Sequence, residues 1–515
     1  MTELPTSELQ TNPSAVASFT LMLEDEAATA RFAVDLANML EPGDFIALSG
    51  DLGAGKTTLV RAIIAHLAGD TVIEVPSPTF TLVQSYELPR LTLVHADLYR
   101  LSGPSDIAEL GLDDTAGAVV AIEWPDRAGE LPPDRIDIVL TLRLRDGEAL
   151  RIAEVAGRGT AAARIERLGT LIGFLEDTGF DTAIRTRIAG DASTRSYERI
   201  VRDGRSFILM NSPPRPDGPP LKRGLSYSAL AHLAEDVKPF VAMANALRER
   251  GFSAPKVFAA DHDAGFVVLE DLGNKLVIGG HPPAPIAERY ERATDLLVEL
   301  HGMELPDLLP VAPHIDHSLP AYDLDAYLIE TELLLDWYLP YRGAAATPEV
   351  RALFQTLWRE ALRPVLDAPR TWVLRDYHSP NLLWLDDREG IAAVGLLDFQ
   401  DAVMGPAAYD LASLLQDARV DVPEELEIAL FARYVHGRHD AEGTFDADAF
   451  ARLYATLAAQ RATKILGIFA RLDRRDGKPQ YLRHLPRVFR SLRRVLTHPA
   501  LAALDKWYVA RVPPP

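Results

Sequence analysis

The chain is expected to fold as an α/β domain followed by an α+β domain with a small sheet lobe and a larger helical lobe. Three observations lead there. Residues 50–58 read GDLGAGKTT directly after the apolar run FIAL at 45–48, a glycine-rich loop set between a strand and a helix. Strand-like and helix-like segments alternate up to about residue 155, whereas residues beyond about 229 have mostly helical spacing. Far downstream lie Asp376, Asn381 and Asp398, a carboxylate–amide–carboxylate set. The glycine-rich loop and this set handle phosphates by different chemistry, so one chain is expected to hold two separate ATP sites.

In order, residues 1–17 read as a polar tail. Residues 31–40 have helical spacing, 45–49 are a buried strand and 57–67 a helix. Residues 91–99 and 119–124 are further strands, and 136–145 alternate as an edge strand would. The α/β domain is expected over 18–156. AGRGTAAAR is small and polar, which places a linker at 157–164, with a helix starting near residue 165. The second domain then spans 165–515, its small lobe about 165–272 and its large lobe about 273–515. Residues 187–211 read as a hairpin, and 265–270 and 394–398 as strand-like pieces among helices.

Composition narrows the function. The 515 residues include no cysteine, which excludes disulfides, thiol chemistry and a cysteine-based zinc site. No apolar run reaches the ~18 residues of a membrane span, and the first residues lack a secretory pattern, so the cytoplasm is expected. The net charge is −21, and residues 1–157 hold 25 acidic against 10 basic residues. Phosphate backbones are held by Lys and Arg. The acidic first domain is therefore expected to meet a protein partner, with no direct nucleic-acid contact and no membrane. The histidines are scattered, with no metal-binding spacing.

In the loop Gly50, Asp51, Leu52, Gly53, Ala54, Gly55, Lys56, Thr57 and Thr58, backbone amides are expected to wrap ATP phosphates. Lys56 would reach the outer phosphates and Thr57 would ligate Mg²⁺. Asp97 and Glu123 each close an apolar strand, where a carboxylate reaches the nucleotide. The order VPSPTFTLV (75–83), HADLYRL (95–101), ELGLDD (109–114) and AIEWPDRAGELPPD (121–134) closely resembles the TsaE family, the small ATPase that assists threonylcarbamoyladenosine modification of tRNA. The resemblance implies a P-loop NTPase fold and a catalytic or Mg²⁺ role for Glu123, with Asp97 in support. It also implies a nucleotide-sensitive switch around Ser77 and Thr79, and a TsaB/TsaD-type heterodimer as partner.

In VLRDYHSPNLLWL (373–385) and LLDFQD (396–401), Asp376 is placed to accept a hydroxyl proton, and Asn381 and Asp398 to hold Mg²⁺. The strands at 372–374 and 382–384 are expected to fix them on a hairpin. This half resembles the aminoglycoside phosphotransferase family, which implies a protein-kinase-like two-lobe fold. AGDASTRSYERI (189–200) is similar to that family's phosphate-covering loop, which makes Asp191, Ser193, Thr194 and Arg195 nucleotide-binding candidates. VVLEDLG (267–273) is similar to its hinge, where Glu270 and Leu272 would meet adenine. His378 and Asp401 are substrate candidates. Leu374 stands where a histidine is usual, and RSFILMN (205–211) carries no lysine, ending in Met210 and Asn211. LMNSPP (209–214) resembles the AmgK-like subgroup, which phosphorylates the anomeric hydroxyl of N-acetylmuramate or N-acetylglucosamine in cell-wall recycling. The expected function is therefore bifunctional. The alternatives for the second half are an aminoglycoside kinase or a non-catalytic pseudokinase module.

Overall fold

The computed structural model describes residues 16–69, 73–76, 78, 81–101, 115, 117–145, 148–188, 195–214 and 218–515. These form two compact units, residues 1–191 with 197–207, and residues 192–196 with 208–515.

The first unit is built on a seven-stranded sheet. Its strands are β1 (Val16–Leu23), β2 (Phe45–Ser49), β3 (Val83–Glu87), β4 (Thr92–Asp97), β5 (Val119–Glu123), β6 (Arg135–Arg145) and β7 (Glu148–Arg158), in the order β1-β7-β6-β2-β5-β4-β3. β2 pairs in parallel with both β5 and β6, and β4 in parallel with β5. A central strand covered on both faces should be apolar throughout, and the run FIAL is. Helix α1 (Glu26–Met39) starts where the Asp25 carboxylate accepts the Ala28 amide at 2.6 Å. Its Phe32 and Leu36 join Leu59, Ile63 and Ile64 of α2 (Lys56–Ala68) in one core.

Three expectations change here. Residues 136–145 are not an edge strand, because β6 lies between β2 and β7. The polar tail ends earlier than residue 17, since Val16 and Ala17 pair with Arg158 and Gly157. Residues 157–164 are not a linker. Gly157 and Arg158 end β7, and helix α3 (Ala161–Asp177) follows within three residues. Ala161, Ile165 and Leu168 belong to the first unit's core, so this helix covers the first sheet rather than opening the small lobe. Close approach is the reason. A Cβ on Gly157 would stand 2.7 Å from the Ala161 carbonyl oxygen, and one on Gly169 3.0 Å from the Phe19 ring. The first unit also takes in β8 (Ile184–Ile188), paired antiparallel with β9 (Ser196–Arg202). The division between the units passes through β10 (Arg205–Asn211).

In the second unit, helix α4 (Lys238–Glu249) is followed by the antiparallel pair β11 (Val257–Asp261) and β12 (Phe266–Glu270). Helices α5 (Ala287–Gly302), α6 (Leu324–Leu333) and α7 (Pro348–Leu366) come next. Four short strands then carry the site: β13 (Thr371–Val373), β14 (Leu382–Trp384), β15 (Val394–Leu396) and β16 (Val403–Gly405). Helices α8 (Ala408–Leu415), α9 (Glu424–Glu442), α10 (Ala447–Asp476), α11 (Leu485–Val495) and α12 (Ala502–Arg511) complete it. The 30-residue α10 is its axis. Asp446 caps its start and Gly477, at φ 62°, its end. Gly467 lets the helix approach the backbone of Leu333, where any side chain would collide.

One buried ionic cluster ties α6 and α10 to the segment after β13. Glu330, fully buried, accepts Lys464 Nζ at 2.7 Å, Gln460 Nε2 at 2.8 Å and the Tyr322 hydroxyl at 2.6 Å, and pairs with Arg375. Burial alone would raise its pKa, but Lys464 and Arg375 hold it down at about 2 against an ordinary 4.5. A depressed folded pKa contributes stability that is present above about 4.5 and lost as pH falls towards 2. Glu330→Ala would leave two buried cations without their shared anion. We expect a loss of about 3–5 kcal/mol, read as a drop in denaturation midpoint at pH 7 that shrinks on acidification.

Candidate functional sites

The first site grows out of the end of β2. Gly50, Gly53 and Gly55 take φ values of 136°, 80° and 105°, which side-chain-bearing residues rarely adopt. A Cβ on Gly55 would also lie 2.8 Å from Arg151 Nε. Lys56 Nζ donates to the carbonyls of Gly50 at 2.7 Å and Asp51 at 3.0 Å, and lies 4.0 Å from the Trp124 ring centroid. Burial pulls the ammonium below its ordinary pKa, against Glu123, Asp97 and Asp51. The lysine thus rests on loop carbonyls, a store of hydrogen bonds that a phosphate can replace.

Glu123 ends β5 where its Oε1 accepts the Thr57 hydroxyl at 2.7 Å and faces His95 Nε2 at 3.0 Å. It is not paired with Arg127, whose Nη1 donates to the Leu101 carbonyl. Asp97 ends β4 directly opposite Glu123 in the parallel register. Its Oδ1 accepts the Tyr99 amide at 3.0 Å, and it lines the same cavity of about 300 Å³ as Leu52, Lys56, Thr57 and Glu123. The Thr57 hydroxyl and the two carboxylates form an all-oxygen donor set that suits Mg²⁺, which keeps waters and phosphates among its ligands. Asp51 closes the loop by accepting the Ala54 amide, and Thr58 lines the cavity. Ser77 and Thr79 lie outside the described residues.

Two residues here escaped the sequence reading. His95 is fully buried, with Nε2 on Glu123. Its signal is a histidine inside the apolar run LTLVHAD, two positions before Asp97 and so on the same face of β4. Arg151, on β7, donates Nε to the Ala54 carbonyl at 3.1 Å and lines the cavity. Only the pairing of β7 with β6 brings it to the loop.

The second site is centred on the segment after β13. Arg375 takes φ 64°, a left-handed value that is costly for a non-glycine residue. Asp410, fully buried at the start of α8, accepts the amides of Leu374 at 2.7 Å and Arg375 at 2.9 Å. These bonds fix the turn although Leu374 replaces the usual histidine. Asn381 Nδ2 donates to the Asp376 carbonyl at 3.0 Å and to Asp398 Oδ2 at 3.4 Å. Asp398, itself at φ 58°, accepts Gln400 Nε2 at 2.9 Å and faces Arg195 Nη1 at 3.3 Å. Burial and the nearby Asp376 raise the Asp398 pKa. Asp376 is lowered: burial would raise it, but His378 first, then Lys464, Arg375 and Arg461, outweigh that effect. Two converging carboxylates and an amide oxygen fit a hard divalent cation, which would relieve their repulsion. Among the described residues no cluster of three or more His, Cys, Asp or Glu forms an all-protein metal cage.

The expected hairpin is corrected. β13 pairs with β16 and β14 with β15, so Asp376 and Asn381 lie in a connection between two separate strand pairs. Three residues per strand are too few for sequence spacing to reveal which pair with which. His378 is buried with Nε2 3.9 Å from Asp376 Oδ1, and burial pushes it down to about 4, so it is neutral at pH 7. Asp401, a substrate candidate, accepts the Ala234 amide on Oδ1 at 2.7 Å and ties down that segment. Glu270 is braced by Arg248 at 2.9 Å and Arg388 at 2.6 Å, and its amide donates to the Lys256 carbonyl at 2.8 Å. Leu272 is half-buried beside Gly395. Met210 is buried, and β10 carries no lysine. Asp191, Ser193 and Thr194 fall outside the described residues. Asp417 was missed; it accepts the Ser379 amide at 2.9 Å and the Ser379 hydroxyl at 2.5 Å, and its signal is only a QD pair after α8.

Comparison with known proteins follows this division. A family model described as threonylcarbamoyl adenosine biosynthesis protein TsaE matches residues 23–149, and one described as phosphotransferase enzyme family matches 185–454. The chain is 40% identical over 365 residues to an N-acetylmuramate/N-acetylglucosamine kinase of Caulobacter vibrioides, covering 68% of this chain and 97% of the relative. It is 40% identical over 128 residues to the tRNA threonylcarbamoyladenosine biosynthesis protein TsaE of Rickettsia bellii, covering 25% of this chain and 88% of that protein. Among solved structures, YdiB of Bacillus aligns at 31% identity with a TM-score of 0.26, covering 30% of this chain and 97% of that one.

The double hold on Glu123 sets an expectation for the first site. Glu123→Gln should lower single-turnover ATP hydrolysis by about 100-fold or more while nucleotide affinity changes little. His95→Phe, which removes one of the two contacts on Glu123 Oε1 and leaves that of Thr57, should fall about tenfold. Phosphate release and nucleotide titration separate the two effects.

Proposed function

Because the chain belongs to the TsaE family through residues 23–149 and to the phosphotransferase enzyme family through residues 185–454, we propose that it is a bifunctional enzyme with two independent chemistries. The first unit hydrolyses ATP in support of tRNA threonylcarbamoyladenosine formation, acting on a protein heterodimer of the TsaB/TsaD type. The second transfers the γ-phosphoryl group of ATP to the anomeric hydroxyl of N-acetylmuramate or N-acetylglucosamine. The observation that carries the second reading is the intact set Asp376, Asn381 and Asp398, locked in place by Asp410 and Gln400.

In the first site the loop amides and Lys56 hold the phosphates, and Glu123, kept in place by Thr57 and His95, orients the attacking water. In the second, Asp376 accepts the proton of the sugar hydroxyl as its oxygen bonds to the γ-phosphorus. The bond to the β–γ bridging oxygen breaks and ADP leaves. Mg²⁺, held by Thr57 with Glu123 and Asp97 in one site and by Asn381 and Asp398 in the other, would supply charge neutralisation on the phosphates. Arg195 provides the cation that β10 lacks, reaching the phosphates from Asp398. The relative from Caulobacter vibrioides supports an amino sugar as acceptor.

The test uses the full chain with Mg-ATP and a panel of N-acetylmuramate, N-acetylglucosamine, plain hexoses and kanamycin-like antibiotics, with product mass and phosphate position by NMR. We expect anomeric phosphate on an amino sugar, retained in Lys56→Ala and lost by at least about 1,000-fold in Asp376→Asn. Transfer to an antibiotic alone, or to nothing, overturns the reading. The same assay reports pH dependence. The lowered Asp376 pKa keeps its carboxylate ionised, so the rate should stay flat from pH 7.5 down to about 5.

A further inference from the structure

Among the described residues of the second unit, three arginines are nine-tenths or more buried: Arg375, Arg438 and Arg461. A buried cation is tolerable when a carboxylate neutralises it. Arg375 has Glu330 and Arg438 has Glu442. Arg461 has no carboxylate among the described residues, and its Nη1 donates to the Gln416 carbonyl at 3.3 Å. Asp417, the next residue after that carbonyl, is already engaged. It accepts the Ser379 amide and hydroxyl on Oδ2 and the Arg419 amide on Oδ1. A guanidinium stays charged at any working pH. Arg461 therefore carries a buried positive charge that its described neighbours do not balance.

Its position says what could balance it. On α10, Gln460 and Lys464 lie one turn apart and both turn to Glu330. Arg461 stands about 100° further round the helix. It lines a narrow crevice with Gln416, at the end of α8, and Ser491 of α11. Gln416 and Ser491 also line an adjoining cavity of about 320 Å³. Asp417 lines that cavity too, and it holds Ser379, three residues after the base Asp376. The charge of Arg461 is felt at both Asp376 and His378. The cavity wall sets Asp417, Asp421 and Glu424 against Arg487, Arg490 and Arg494. A polycationic acceptor calls for an excess of acids. Here acids and arginines match, and Arg461 beside them tips the site towards positive.

We propose that this cavity receives the sugar and that Arg461 binds a carboxylate on it, which makes Arg461 the residue that distinguishes N-acetylmuramate from N-acetylglucosamine. The inference rests on the kinase reading and names its specificity. The two sugars share the anomeric hydroxyl and the acetamido group. N-acetylmuramate adds a lactyl ether that ends in a carboxylate. A guanidinium meets a carboxylate in a two-pronged geometry, and the bond is strong where water is excluded. Nε and Nη2 of Arg461 have no partner among the described residues and supply that fork. The anionic sugar completes the ion pair that the fold leaves half made, and the neutral sugar does not.

The experiment compares both sugars on the full chain and on Arg461→Gln. Glutamine keeps a donor for the Gln416 carbonyl and removes an unbalanced buried charge, so the thermal midpoint should not fall. We expect KM for N-acetylmuramate to rise about 10- to 100-fold, as for loss of a hydrogen bond to a charged group, with kcat held. Selectivity for N-acetylmuramate over N-acetylglucosamine should drop by the same factor, and Arg461→Lys should recover part of it. The methyl ester of N-acetylmuramate on the unaltered chain should lose as much as the acid loses on Arg461→Gln, and the two losses should not add. Calorimetric titration of N-acetylmuramate into Asp376→Asn, with and without Arg461→Gln, reads the same contact without turnover. If no sugar is phosphorylated but this binding is lost with Arg461, only the kinase reading falls. Absence of both transfer and binding overturns both. An equal loss on the two sugars overturns the inference alone, because Arg461 would then serve the phosphates, the base or the fold. So do unchanged selectivity and an ester that binds as well as the acid.

Discussion

The carboxylate of Glu330 is the constraint on which the second site depends. A fully buried anion is tolerable only when its oxygens are occupied by donors, and Glu330 meets Lys464, Gln460, Tyr322 and Arg375. Arg375 is thereby locked beneath the residue that follows it. The left-handed backbone of Arg375, costly in isolation, is held from one side by Glu330 and from the other by Asp410. Asp376 leaves this double clamp in a defined direction. The same cluster places Lys464 and Arg375 where, after His378, their charge helps to lower the Asp376 pKa, so the network that sets the geometry of the base also contributes to its ionisation.

The first site uses a lighter device. Glu123 is fixed by two short hydrogen bonds to a single oxygen, from Thr57 and His95, and its second oxygen remains for other partners. Lys56 occupies loop carbonyls and the face of Trp124. Each of these contacts is exchangeable for one to a phosphate or a cation. The loop geometry itself is fixed by glycines whose positive φ values other residues resist.

How much of this was legible in the sequence depended on the range of the interactions. The phosphate loop, Glu123 and the Asp376–Asn381–Asp398 set were readable because each is local or follows a short apolar run. The core of the first unit was readable for the same reason, since a run such as FIAL has one stable use. What escaped depends on pairing over long separations. β6 alternates like an edge strand, yet β7 covers its far side. β13 and β14 are adjacent in sequence but pair with β16 and β15. Arg151, His95, Asp410 and Asp417 act through partners that only folding brings near.

The stretch between the family matches teaches the same lesson at the scale of domains. AGRGTAAAR is small and polar, as a linker would be, but in this fold small residues do a different job. Gly157 and Gly169 let a helix lie against a sheet at a distance no larger residue permits. The composition that reads as freedom is here a requirement for contact. Once α3 is bound to the first core, β8 is delivered a few residues later beside α1, and Arg185 meets Asp35. A guanidinium has five N–H donors; Glu198 takes two of them in a fork, and Nη1 is left to turn to another acceptor. An acidic residue on the ATPase helix satisfies it. The join between two families is therefore specified by one arginine with more donors than a single carboxylate can accept.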